Sequence, residues 1–330
     1  MTYSVGNVIL AADYNGFAND SANNIGNVWA VGSTDKGWGQ SAIANVAAAG
    51  TVTATQWSSL VNTLQLMGQQ TGVTITSRTA PVAGNTISIL ANVATDINNL
   101  TTFRGNAAAS GTEYGTFTGN VSKTTATGSG TTAWTITFTH TITFPSAAQA
   151  RYFWNAGGVV RLKYGKSSTG TDHDADWNTF AGQCGSINVT GRVNGAAQTI
   201  SLQEYTGTTR IGASGGTQTT LTTTTGWYNL TGSPTTIFQL NNVTAPYQPE
   251  YIRTTATATS STVLTLVTTW VDDGTAGAGV SSNITGGTAT TSPSTTITGT
   301  APTTLCTYLP PSTTYLTNTW GTPTIAASVT

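Results

Sequence analysis

Residues 134–144 read WTITFTHTITF, and they decide the fold. Trp134, Ile136, Phe138, His140, Ile142 and Phe144 alternate with Thr135, Thr137, Thr139, Thr141 and Thr143. Period two sustained over this length predicts a half-buried strand with its threonines outward. Pro145 ends it. Downstream, residues 147–155 predict a short helix closed by Gly157, and 159–164 a second strand. A second short helix carries Trp177, Phe180, Ala181 and Cys184 on one face and stops at Gly185. Strand-like runs follow at 187–193, 235–243, 251–259 and 263–272. Turns at each break make this a β-sandwich with two helical insertions.

Upstream, the period changes from two to between three and four. Tyr14, Phe17, Ser21, Ile25 and Val28 predict one helical stripe. Thr53 and Gln56 have the spacing of a capping box, with Trp57, Leu60, Val61 and Leu64 on one face before Gly72. Leu90, Val93, Ile97 and Leu100 mark a third helix, with Asn85 or Thr86 as its N-cap. The stretch 32–53, with Gly37-Trp38-Gly39, is too long for a tight connection and is expected to lie partly ordered against the helices. The fold class is therefore α+β. It divides into a helical attachment or assembly module (1–105), a Gly/Ser/Thr-rich linker (106–132), a β-sandwich-like domain (133–275) and a Thr-rich C-terminal β extension (276–330).

Composition restricts the function. Charged residues are 7% of the 330, and the formal net charge is −1. Neither sign is in excess, so charge gives no support to a nucleic-acid footprint. Nine Trp, eleven Tyr and eight Phe supply a core and exclude disorder. Threonine, about a fifth of the chain, takes the place of charge. Cys184 and Cys306 fit neither a disulfide framework nor a zinc site and are expected to be free thiols. The N-terminus has no basic and long apolar pair of regions, and no apolar run reaches the ~20 residues of a membrane span. A chain made in a cytosol is expected.

Residues that could carry chemistry are few. Asp172, His173, Asp174 and Asp176 resemble the start of a calcium loop but lack the sixth-position Gly and distal Glu. Asp174 or Asp176 is expected to cap the helix containing Trp177, leaving the chain inert to chelators. His140 points to the apolar side of its strand, as a core or subunit-contact histidine does. Two histidines and two cysteines leave few possible members for a Ser-His-Asp or Cys-His arrangement and little for nucleophilic catalysis. Glu113, Glu204, Glu250, Asp272 and Asp273 are the carboxylates from which a glycosidase pair would come, but none has a recognisable setting, and Asp272-Asp273-Gly274 reads as a turn. Arg151, Arg161, Lys163 and Lys166 form a small basic patch, solvated or paired with Asp172–Asp176. Asn-x-Ser/Thr triplets at Asn120, Asn188, Asn229, Asn242 and Asn283 arise by chance in so Thr-rich a chain. No catalytic residue, cofactor site or metal site is expected, and no enzymatic activity.

The segments VILAADYNGFANDSANNIGNVWAVGSTDKGWGQ, TVTATQWSSLVNTLQLMGQQTG, ITFPSAAQARYFWNAGGVVRLKYG and DWNTFAGQCGSI resemble, in order and approximate spacing, tail-fibre-like and tail-associated virion proteins of marine tailed phages, cyanophages especially. The resemblance covers the helical third and the first β half and fades beyond about residue 275. It implies a structural role in a virion tail, baseplate or fibre, made in the host cytoplasm, with no catalytic residue to carry over. Expected partners are copies of itself, as a trimer, and other tail or neck proteins. Two alternatives are a module binding host-surface glycan through exposed Trp and Tyr faces, and a capsid decoration protein.

Overall fold

The computed structural model describes residues 10–21, 23–82, 92–115, 121–124, 134–167, 173–191, 198–200, 203–205, 207–245, 247–248, 250–272, 288–291 and 302–330. Among these, the helices are α1 (Ala11–Asn15), α2 (Ile25–Trp29), α3 (Ala54–Thr71), α4 (Val93–Thr102), α5 (Ala147–Asn155) and α6 (His173–Cys184). One six-stranded sheet runs β1 (Val121–Thr124), β12 (Thr288–Thr291), β13 (Thr303–Leu309), β3 (Val159–Gly165), β4 (Ser186–Val189), β7 (Thr208–Ile211). The other runs β14 (Thr324–Val329), β2 (Trp134–Thr143), β11 (Val263–Asp272), β10 (Tyr251–Ser260), β9 (Thr235–Asn241), β8 (Thr217–Leu221). A separate hairpin joins β5 (Gln198–Ile200) to β6 (Gln203–Tyr205). Pairing is antiparallel throughout the described strands except for one parallel bridge between β12 and β13. The fold is α+β, with a helical N-terminal segment first and a β domain after, into which α5 and α6 are inserted.

The alternation in β2 sets the inner face of its sheet. Ile136, Phe138, His140, Ile142 and Phe144 are buried, and the described threonines between them are half-buried or exposed. In register beside Phe138 stand Val329 of β14 and Thr268 of β11, then Thr254 of β10 and Phe238 of β9. The two inward threonines are satisfied across the sandwich. The Tyr164 hydroxyl of β3 lies 2.7 Å from Thr254 Oγ1, itself 2.9 Å from Thr268 Oγ1. Trp270 Nε1 donates to Thr304 Oγ1 of β13 over 3.1 Å. Buried hydroxyls need such partners, so this ladder fixes how the two sheets face each other.

Both inserted helices form where the sequence places them. Ser146 accepts from the Gln149 backbone N–H at the start of α5, and Gly157 (φ 107°) ends its closing turn. Phe153 and Trp154 of α5 pack with Phe144 and Trp227. Trp177 of α6 stacks on Trp270 with centroids 5.7 Å apart. Cys184 and Cys306 are free and buried, as expected.

The first helical stripe needs correction. It is not one helix: α1 runs into a π-helical turn, Gly16–Asp20, and the chain extends at Ser21 before α2. Ser21 Oγ donates to the Gly16 and Asn23 carbonyls, and Asn24 accepts from the Asn27 N–H as the N-cap of α2. Side chains that bond nearby backbone break the helix and leave Ser21 exposed, while Tyr14, Phe17, Ile25 and Val28 stay buried. For α3 the capping box forms, and Gly72 is left-handed after it. The α4 helix starts after Asn92 (φ 63°), and Leu90, Asn85 and Thr86 lie outside the described residues.

The hydrophobic core continues from these helices into the sandwich. Gln70 of α3 donates to the Ala108 and Ala156 carbonyls, and Gln40 bonds Thr317 through both ends of its amide. Residues 107–115 lie along β13, with bridges Ala109 to Pro311 and Tyr114 to Tyr308. The Thr-rich C-terminal stretch supplies β13 and β14, one to each sheet.

A Cβ at Gly157 would run into the Ala107 carbonyl, whereas one at Gly182 in α6 meets nothing. Gly157→Ala is expected to cost about 2–4 kcal/mol in urea unfolding, from strain and overpacking together. Gly182→Ala should instead add about 0.5–1 kcal/mol.

Candidate functional site

Ionisable side chains converge at one end of the sandwich, where α6 begins, β10 starts and β11 stops. His173 opens α6 as described. Four residues on comes Trp177, so both lie on the buried stripe of that helix. Glu250 precedes β10 in phase with the inward Ile252 and Thr254. Asp272 closes β11 in phase with Leu266, Thr268 and Trp270. One ligating atom from each of His173, Glu250 and Asp272 lies within 4.8 Å of the others, and the residues are 1%, 2% and 2% exposed.

Around this trio the bonds are specific. His173 Nε2 meets Glu250 Oε1, and Trp177 Nε1 donates to the same Nε2 over 3.0 Å. Asn242 Nδ2 donates to Asp176 Oδ2 and, over 3.1 Å, to Glu250 Oε2. The Tyr247 ring stacks on the His173 ring at 4.6 Å. Burial pushes the Glu250 carboxyl up to about 7, against the opposing pull of His173. Asp176 is raised for the same reason.

Asp174 and Asp176, expected to cap this helix, also reach partners beyond it. Both lie inside the first turn of α6, and their carboxylates are engaged elsewhere. Asp174 Oδ1 takes the buried Lys166 ammonium at 2.5 Å, and Asp176 takes Asn242. They still favour the helix N-terminus electrostatically. Asp172, Asp273 and the side chain of Glu204 lie outside the described residues.

Of the basic patch, Lys166 pairs with Asp174, one of the two expected outcomes, and others find partners elsewhere. Lys163 Nζ and Arg161 Nη1 reach Glu113 Oε2 at 2.7 and 3.4 Å, and Thr307 Oγ1 donates to Glu113 Oε1. That cluster pins the 107–115 segment to the outer face of β3 and β13. Arg151 Nη2 donates to the Val31 carbonyl. Glu250 and Asp272 do meet, but inside the core, where no sugar ring fits between them. His140 is fully buried and hydrogen-bonds the Thr304 backbone, with desolvation lowering its pKa to about 4. A cavity of about 360 Å³ beside α1 and α3 is lined by Tyr14, Gln40, Gln56 and Thr63 and by no acidic or basic side chain.

Chemically, the trio can share protons or hold a cation. Reading motifs residue by residue misses it, because its members are about 80 and 20 residues apart. A signal was nevertheless present: Asp272 and Glu250 occupy inward positions of their strands, and His173 the inward stripe of its helix. No family model, no curated protein and no solved structure matches the chain.

His140 generates a pH dependence. Its folded pKa, about 4, lies below the ordinary 6.5. Between those values the unfolded chain binds a proton that the folded chain refuses, so stability falls as pH drops through the window. The expected loss is roughly 3 kcal/mol from pH 6.5 to 4. His140→Leu should remove that component when urea midpoints are compared across the same range.

Proposed function

We propose that the chain is a structural protein of a phage virion, a homo-oligomeric component of the tail, baseplate or fibre. The observation that carries this reading is where the charges are. Among the described residues Asp20 is the one charged residue whose side chain stands exposed; the others are buried or half-buried. What remains outside is largely Thr, Ser, Asn and Gly. A neutral surface of this kind favours close contact with copies of itself, with little like-charge repulsion and little dependence on salt. Its outermost strands in the second sheet, Thr324–Val329 and Thr217–Leu221, carry no Lys, Glu or Pro to guard them.

Exposed apolar side chains support a role for the helical third in attachment. Leu10, Val31, Val82 and Phe103 are all exposed there, against Tyr114 and Val243 elsewhere. The partners on this reading are two further copies in a trimer and neighbouring tail or neck proteins. No helix among the described residues is long and apolar enough to cross a membrane. The eight tryptophans whose side chains are described are all buried, so they offer no stacking faces to a host glycan.

Mass spectrometry of purified phage particles whose genome encodes the chain tests this directly. The chain is expected in the particle in multiple copies, and light scattering of the isolated protein should give the same trimer mass at 50 mM and 1 M salt. Its presence only in the particle-free lysate would refute the reading.

A further inference from the structure

We propose that the cavity beside α1 and α3 binds a neutral, polyhydroxylated small molecule, a sugar or polyol. The argument starts on α3. Gln56, Ser59 and Thr63 fall three and four residues apart and form one polar stripe of a helix whose Trp57, Leu60 and Leu64 are buried. That stripe and residues 40–44 line the same space of about 360 Å³. Thr63 is only 8% exposed, yet its hydroxyl has no hydrogen-bond partner among the described residues. A helical threonine commonly returns its hydroxyl to a carbonyl one turn back, as Thr71 does to Met67 and Thr102 to Asn98, both at 2.8 Å. At Thr63 the hydroxyl is left to the cavity.

Other donors line the same wall. Gln56 Oε1 accepts from the Thr53 N–H at 2.8 Å, which leaves Nε2 as the open end of that amide. Trp29 Nε1 and Asn19 Nδ2 donate to the Ser41 and Ile43 carbonyls at 3.0 and 2.6 Å. The backbone N–H groups of Ala42, Ile43 and Ala44 have no partner among the described residues. Tyr14 donates to the Gln56 carbonyl over 3.2 Å, and its oxygen can still accept. Gln40, tied to Thr317 through both ends of its amide, fixes the wall in place.

These groups select the ligand. No acidic or basic side chain lines the cavity, so an ion would lose hydration and gain no counter-charge. A purely apolar molecule would strand Thr63 and Gln56. A peptide brings N–H donors of its own, and the Ser41 and Ile43 carbonyls that could receive them are already taken. A neutral molecule rich in oxygen offers acceptors to Thr63, Gln56 and the 42–44 amides, and its hydroxyls can donate to Tyr14. It replaces with one fixed array the waters that serve these groups in the open cavity. The volume lies at the low end for ligand sites, about 300–1,000 Å³, which suits a small molecule and not a long polymer. Trp29, 9% exposed, contributes only an edge, so binding rests on hydrogen bonds, with an expected Kd of roughly 1 mM. The site stands apart from the virion reading, which survives if it fails.

The test uses the full chain. Saturation-transfer NMR with glucose, galactose, N-acetylglucosamine and glycerol, each at about 50 mM, should show transfer to at least one of them. Glucuronate and glycylglycine at the same concentration should show none. Ala44→Tyr, at an exposed position on the cavity wall, should abolish the transfer. Thr63→Val, which exchanges the hydroxyl for a methyl, should weaken binding about tenfold. Amide hydrogen exchange of residues 40–46 should slow when the bound compound is added. No transfer to any of the four, transfer that survives Ala44→Tyr, or a preference for glucuronate or glycylglycine overturns the proposal. If a variant does not fold, hydrogen exchange of the unaltered chain decides, and unchanged exchange at 40–46 overturns the proposal equally.

Discussion

Each charge that this chain turns inward has to be neutralised where it stands, and the structure is arranged around that requirement. Low permittivity makes a lone buried ion costly by several kcal/mol, so its partner must already be in place when the core closes. Those partners come from distant parts of the sequence. Arg78 meets Asp96 at 2.5 Å with both side chains about 5% exposed, and Arg104 reaches Asp35 at 2.7 Å. Glu113 holds the strap over β13 through Arg161 and Lys163, and Lys166 holds the first turn of α6 through Asp174. Removing one member of a fully buried pair costs about 3–5 kcal/mol, because the other is left without a counter-charge. The pairs therefore specify which segments meet more than they add stability.

The same arrangement links the fold to the proposed role. A sandwich rich in threonine can satisfy its outward hydroxyls with water and its inward ones with each other, as Tyr164, Thr254 and Thr268 do. Charges withdrawn from the surface leave an exterior that does not repel its own copies. Solubility in a monomer ordinarily depends on the opposite, a mixed charged surface. The architecture suits a protein that acts by packing beside others.

Much of this was legible in the sequence, and what was not has definite causes. Alternation around Trp134–Thr143, the capping box at Thr53 and the glycines after α5 and α6 are local signals, and the elements stand where those signals put them. The strand β13 escaped because TTLCTYL is buried on both faces and so does not alternate. In β8, TQTTL has one apolar residue and no period to read. The break at Ser21 depended on side chains choosing nearby carbonyls over helix geometry. Of the trio His173, Glu250 and Asp272, each position could be assigned inward by phase. Their meeting could not, because it follows from sheet order and from where α6 lies.

The central claim is that the charges face inward. Carboxyl labelling of the native protein with a water-soluble carbodiimide and an amine, read by peptide mass spectrometry, measures it most directly. Asp20 should label fast, while Asp96, Asp174, Asp176, Glu250 and Asp272, none more than 9% exposed, should label only after unfolding. Rapid native-state labelling of those five carboxylates would contradict the account.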